Sequence, residues 1–182
     1  RIIEMMVVSD DQMAFDEKSI YSLEKFLMAR RLMYWQVYLH KTSLSAEFLL
    51  TRILERLRFC YQNGSQPSAS DPLAYFLSRN EFNLGPIKDW LEQFFKLDDA
   101  DIIQGLKSWH NEEDKTLSKI SKMLINRNLF KIKIQDKPFE SDAIEQKKER
   151  LRKRGIPEED HKYFVFTGAI SNQTYVPQEK KY

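Results

Sequence analysis

Cysteine is almost absent from this sequence: Cys60 stands alone, so no internal disulfide can form, and a reducing compartment suits the chain. Long apolar runs are missing too, and none approaches the roughly 20 residues needed to span a bilayer. The opening "RIIEMMVV" lacks the long apolar core and cleavage site of a signal peptide. Charge of one sign is scarce: the net charge is only +2, so no strong global field favours DNA or anionic lipid. Glycine is rare, and "FTGAISN" offers one glycine without phosphate-loop spacing. The three histidines, His40, His110 and His161, lie too far apart to form a ligand spacing, and there is no His-Asp dipeptide.

What is present is ordinary globular material, 42% hydrophobic and 31% charged. Residues 2–8 and 12–15 flank "SDD" and predict a short β-hairpin. From Asp16, a candidate cap, the pattern turns helical and runs to about Tyr61 without Pro or Gly. Such a run predicts two helices or one bent one, broken near "HKTS", where Thr and Ser compete for backbone hydrogen bonds. Residues 62–72 form a loop by composition. Helices are expected over about 72–79, 86–96, 99–110, 114–126 and from about 141 to a stop at Gly155 and Pro157. Alternation in "LFKIKIQ" predicts a strand over 129–135, "KYFVFTG" predicts another over 162–168, and "TYV" offers a partner. The class is α+β, mainly α-helical, with a hairpin at the start and a small β-sheet near the end.

The most informative stretch is "ARRLMYWQVYLHKT", Ala29 to Thr42. At about 100° per residue, Arg30, Tyr34, Val37, Tyr38 and Lys41 share one stripe, and Met28, Leu32, Trp35 and Leu39 the opposite side. A helix apolar on most of its circumference is packed on several sides. A guanidinium, two phenols and an ammonium on one face of it need partners. Internal carboxylates could supply them; so could an anionic ligand, because Arg presents a planar fork to phosphate oxygens. Spacing leaves both readings open.

The run "FDEKSIYSLEKFLMARRLMYWQVYLHKT", with "INRNLFK" and "YFVFTGAISNQTY" downstream, resembles the HD-domain phosphohydrolases, and among them the deoxynucleotide triphosphohydrolase (dNTPase) branch. The resemblance implies hydrolysis of a dNTP to a deoxynucleoside and triphosphate, with a divalent metal (Mg, Mn or similar) in the intact parent. In that family the metal is held by His and Asp ligands from an earlier part of the chain. Their absence here, with a start at Arg1, is read as a truncated piece that binds no metal and is inactive alone. Residues 1–61 would then be the end of the HD catalytic domain, 62–135 a helical segment, and 136–182 a charged helix with strands. The resemblance implies that Arg30 reaches substrate phosphate and Tyr38 lies beside the deoxyribose. Tyr34 replaces a histidine of a vertebrate member, and Leu39 replaces a glutamine near the base. Lys18, Lys41, Arg127 and Lys131 match positions that bind activating nucleotides between subunits, while Asp16 and Ser22 depart from that pattern. A homo-oligomer (dimer or tetramer) and a cytoplasmic location are implied as well.

Rival readings remain beside this one. The chain could be a non-catalytic nucleotide-sensing or oligomerisation module. The basic stretch "QKKERLRKR", Gln146 to Arg154, could bind nucleic acid, although its glutamates and the acidic residues after it favour a solvated helix. His40 is expected in a structural hydrogen bond, and Trp35, Trp90 and Trp109 in core packing. Asp98, Asp99 and Asp101 read as a helix cap. Cys60, without a paired His, does not read as a nucleophile.

Overall fold

The computed structural model describes residues 2–79 and 85–170. It is mainly helical with one two-stranded antiparallel sheet near the start, the α+β class expected. Strands β1 (Met6–Ser9) and β2 (Gln12–Phe15) pair Ser9 with Gln12, leaving Asp10 and Asp11 as a two-residue loop. Both aspartates have positive φ, 50° and 61°. Two such residues make the mirror-image turn that matches strand twist, and Asp is among the few side chains that tolerate it. Asp16 then accepts the Lys18 amide at 2.9 Å and opens a 3₁₀ turn, Glu17–Ser19.

The long helical run does divide. Helix α1 (Ile20–Met33) passes into a π-helical turn, Tyr34–Tyr38, and α2 (Lys41–Gln62) follows. The break falls at Leu39 and His40, where expected, and His40 Nδ1 accepts the Thr42 amide at 3.3 Å. Two compact units result, one built on the chain up to Leu44 and the other on Ser45–Gly168. Among the described residues no helix is long and apolar enough to cross a membrane.

The second unit holds the core. Leu49, Ile53 and Leu57 recur every fourth residue along α2 and are fully buried. Against them pack Leu73 and Leu77 of α3 (Asp71–Leu77), Trp109 at the end of α5 (Asp99–Trp109), and Leu117 and Ile120 of α6 (Lys115–Ile125). Asp98 and Asp101 form a reciprocal capping box at the start of α5, as their spacing predicts. Gly105 lies under the Trp109 ring, where a Cβ would come within 2.3 Å of it. The buried indole donates to the Ser68 carbonyl at 2.6 Å, which ties the 62–70 loop to α5. Helices α4 (Ile87–Lys96) and α7 (Ser141–Arg152) complete the unit.

One cation holds three elements of this unit. Arg56 of α2 forks onto Asp114 with contacts of 2.7–3.2 Å and reaches Asp160 at 2.5 Å. Asp160 also accepts from the Thr116 hydroxyl at 2.6 Å, and Asp114 caps α6 through the Leu117 amide at 2.6 Å. Burial works against charge on Arg56, but hydrogen bonds to Asp114 and Tyr163 outweigh it and hold the guanidinium protonated. Burial likewise opposes charge on Asp114, yet hydrogen bonds from Arg56 and the Leu117 amide keep its pKa below the usual carboxylate range. Next to them Cys60 is buried, and that burial, with the Asp114 charge, pushes its thiol up to about 11. It is an inert core residue, as its setting in the sequence predicts.

The C-terminal strands need correction. Residues 129–135 are extended but join no ladder. Leu129 and Phe130 pack against the core instead, and Ser45 Oγ donates to the Phe130 carbonyl at 2.9 Å. Residues 162–168 are not a strand either. The Asp160–Arg56 pair and Pro157 draw the chain into a 3₁₀ turn, Glu158–Tyr163, with Asp160, His161 and Tyr163 buried. "TYV", 174–176, lies outside the described residues.

Arg56→Met should lower the unfolding free energy by about 3 kcal/mol or more in urea denaturation, because the buried Asp160 and the half-buried Asp114 lose their counter-ion. A loss under about 1 kcal/mol would instead class the cluster with screened surface pairs. Acid should act on the same cluster. Asp114 has a depressed native pKa, so its contribution is complete above the unfolded value of about 3.9 and fades as pH falls through the native one. Urea midpoints should therefore drop below about pH 4 in the parent and drop less in Asp114→Asn.

Candidate functional site

The π turn builds the candidate ligand face. Between Met33 and Leu39 the backbone widens, and the Leu39 amide bonds to the Tyr34 carbonyl five residues back at 2.8 Å. Such bulges concentrate at functional sites because they re-aim side chains that a regular helix would place elsewhere. Here Tyr34 and Tyr38 stand 5.1 Å apart, centroid to centroid, with their planes tilted at 50°. The Arg30 guanidinium lies 5.8 Å from the Tyr34 ring. Arg30, Tyr34 and Tyr38 thus form a ladder of one cation and two phenols, Tyr34 half-buried and the other two exposed. Chemically the ladder can offer a charge-assisted fork to phosphate oxygens and two hydroxyls and rings to a sugar or base. The spacing put the three on one stripe; the π turn had no signal in the sequence beyond the lack of Pro and Gly.

The expected burial of this helix is not found. Helix α1 has no buried residue, and Phe26, Met28, Leu32 and Trp35 are each about half exposed or more. A ten-residue hairpin and short turns carry too little apolar surface to cover a helix that is apolar on most sides. Trp35, at 58% exposure, departs from the core role expected of it; Trp109 keeps that role and Trp90 is half-buried.

The four cations of the nucleotide set fall in different places. Lys18 sits in the 3₁₀ turn before α1 and Lys41 at the first position of α2, both exposed and both in the first unit. Arg127 and Lys131 are exposed on the second unit, after α6.

Arg127 is conformationally unusual. Among the described residues three helices end in the same doubly bonded cap, in which an amide reaches back to the carbonyl five residues earlier and the amide before it to the carbonyl three residues earlier. In α2 the bonds run from Ser65 to Cys60 and from Gly64 to Tyr61; in α7, from Ile156 to Leu151 and from Gly155 to Arg152. In both, the left-handed residue is glycine, at φ 84° and 70°. In α6 the bonds run from Asn128 to Met123 and from Arg127 to Leu124, and the left-handed residue is Arg127 at φ 55°. An arginine where two sister caps use glycine stores strain on the order of 1 kcal/mol, the left-handed backbone crowding its Cβ. Lys131 follows on the segment pinned by the Ser45–Phe130 bond and by Phe130 stacked edge-on against Phe166, centroids 5.6 Å apart. The cap had a signal in the sequence, since "NRN" after an amphipathic helix lacks the glycine that normally closes one.

Among the described residues no three His, Cys, Asp or Glu side chains come together to hold a metal ion. His40 is engaged with Thr42, His110 Nδ1 with the Lys107 carbonyl, and His161 Nε2 with the Ile156 carbonyl at 3.0 Å. No chemical step is assigned to a metal on this chain.

Known proteins give this geometry its setting. Residues 1–66 match the family model described as an HD associated region. Over 175 residues the chain is 29% identical to the uncharacterised protein YwfO of Bacillus subtilis, covering 96% of this chain and 38% of that protein. It also superposes on a phosphohydrolase crystal structure from Bacteroides thetaiotaomicron with a TM-score of 0.87 and 42% identity, covering 97% of this chain and 44% of that one. The chain therefore spans less than half the length of either relative. Together, the matched region and the whole-chain structural likeness relate this chain to HD-type phosphohydrolases.

Proposed function

We propose that this chain is the substrate-contacting and regulatory part of an HD-type dNTP triphosphohydrolase whose metal ligands lie outside it. The observation that carries the reading is the Arg30–Tyr34–Tyr38 ladder on the π turn. Arg30 would hold the triphosphate and stabilise charge on it as the bond to the α-phosphorus breaks. Tyr38 would line the deoxyribose and Tyr34 brace both. In the full-length protein the divalent metal would supply Lewis-acid help at the phosphoryl centre. Lys18, Lys41, Arg127 and Lys131 would serve an activating nucleotide at a subunit interface. A homo-oligomer and a cytoplasmic setting belong to the same proposal.

A second reading, a nucleotide-sensing module without catalysis, is favoured by the strained Arg127 and by the dispersed histidines. It differs in binding nucleotide without turnover. Nucleic-acid binding by α7 has less support. Arg152 there is engaged by Glu145, Glu149 and Glu158 at 2.8–3.0 Å, and Lys148 lies 3.9 Å from Glu145.

Triphosphate release from each dNTP, with Mg²⁺ or Mn²⁺, should appear with a full-length protein carrying this segment and not with the 182-residue chain alone. Silence from both would favour the sensing module. In the full-length protein Arg30→Ala should cut turnover by roughly 10²-fold, the order typical of losing one transition-state charge contact, with the fold intact. Loss of the fold would make Arg30 a structural partner instead. Arg127→Gly should separate stability from function. Relief of the left-handed strain should raise the unfolding free energy by roughly 1 kcal/mol, while the response to a panel of nucleoside triphosphates falls. An unchanged nucleotide response would remove Arg127 from the regulatory set.

A further inference from the structure

The cap of α2 contains a chemically reactive pair. Asn63 is followed by Gly64, and no other asparagine in the sequence precedes a glycine. The order matters because the side-chain carbonyl carbon of an asparagine lies within reach of the next backbone nitrogen. A Cβ on the next residue crowds ring closure between those two atoms, and glycine has none. The structure leaves the pair open to solvent. Gln62 to Gln66 are all exposed, and a Cβ on Gly64 would meet nothing within 4 Å. The Gly64 amide is loosely held, donating to the Tyr61 carbonyl at 3.4 Å, long for such a bond. The Asn63 carboxamide is held more firmly, with Nδ2 donating to the Phe59 carbonyl at 2.7 Å.

On either side of the pair the chain is fastened. The Tyr61 hydroxyl donates to the Pro67 carbonyl at 2.9 Å, and the Trp109 indole donates to the Ser68 carbonyl at 2.6 Å. The Ser68 amide donates to Glu112 at 3.2 Å. Opening of the cap is thereby confined to residues 62–66 and leaves the core packed.

We propose that Asn63 is a site of spontaneous deamidation, reached when the α2 cap opens. In the open cap a base removes the Gly64 amide proton, and that nitrogen attacks Cγ of Asn63. The new N–C bond closes a five-membered succinimide, and the carboxamide nitrogen takes up a proton and leaves as ammonia. Water then adds to one of the two imide carbonyls. Cleavage on one side gives aspartate. Cleavage on the other gives isoaspartate, whose main chain runs through the former side chain and is one carbon longer. Water is the only co-reactant, and nothing is oxidised or reduced. The closed cap opposes the reaction by engaging both the attacking nitrogen and the carboxamide. Either product damages the cap in return. A carboxylate at position 63 cannot donate to the Phe59 carbonyl, and it brings negative charge to the negative end of the helix dipole. Isoaspartate also shifts Gly64 and Ser65 away from the Tyr61 and Cys60 carbonyls they cap. The inference stands on this cap and does not depend on the enzymatic reading.

The test is prolonged warm incubation of the protein in mildly acidic and mildly alkaline buffer, followed by mass spectrometry of its peptides. A synthetic peptide of residues 57–69 runs alongside. Asn63 should convert several-fold faster than any other asparagine, faster in the alkaline buffer, and with isoaspartate among the products. The protein should react several-fold more slowly than the peptide, because its cap is mostly closed. Tyr61→Phe, which frees Pro67, should speed the conversion in the protein with circular dichroism unchanged. Another asparagine converting first overturns the proposal, as does an Asn63 that stays intact while the peptide reacts. Aspartate without isoaspartate overturns the cyclic route. A protein as fast as the peptide, or a Tyr61→Phe variant with an unchanged rate, overturns control by the cap. Asn63→Asp, which reproduces one product, should lower the urea midpoint at neutral pH, and an unchanged midpoint overturns the damage assigned to the cap.

Discussion

Arg56 is the constraint on which the second unit depends. A guanidinium with little exposure is tolerable only because two carboxylates from distant parts of the sequence converge on it, one 58 residues away and one 104. Each carboxylate also serves a neighbour of its own, since Asp114 caps α6 and Asp160 takes the Thr116 hydroxyl. Removing the cation would therefore leave the α6 cap and the 3₁₀ turn without their common anchor. The Leu49–Ile53–Leu57 stripe drives collapse without direction, and the fork on Arg56 fixes which turn of which element lies against it. Whether a buried pair adds net stability over an apolar substitute is a separate matter from the register it imposes.

The local chemistry of this chain was plainly readable. The hairpin, the cap of α5, the glycine stop of α7 and the break at His40 all follow from residues acting on their nearest neighbours in sequence. What could not be read was anything decided at long range. "LFKIKIQ" alternates as a strand does, but no second strand meets it, and Ser45 and Phe166 take the places a ladder would have filled. "KYFVFTG" looks extended until Asp160 is known to be tethered to Arg56. Arg56 itself has no motif around it; only the fold brings its partners close.

The candidate site divides along the same line. A period of four placed Arg30, Tyr34 and Tyr38 together, and the structure keeps them together, but the wide turn that sets their spacing is invisible in composition. The same period also predicted a helix covered on several sides, and α1 is open. Both outcomes follow from one fact: periodicity reports which residues share a face, never what lies opposite that face.

Arg127 shows where local consistency fails in an informative way. Two of three matching helix ends among the described residues obey the rule that glycine takes the left-handed residue; the third breaks it, with a cation at the negative end of the helix dipole as a partial offset. Arginine also brings a long exposed side chain and a permanent charge to a position where glycine would bring neither. Under the proposed function, that charge would serve the bound nucleotide together with Lys131, four positions on.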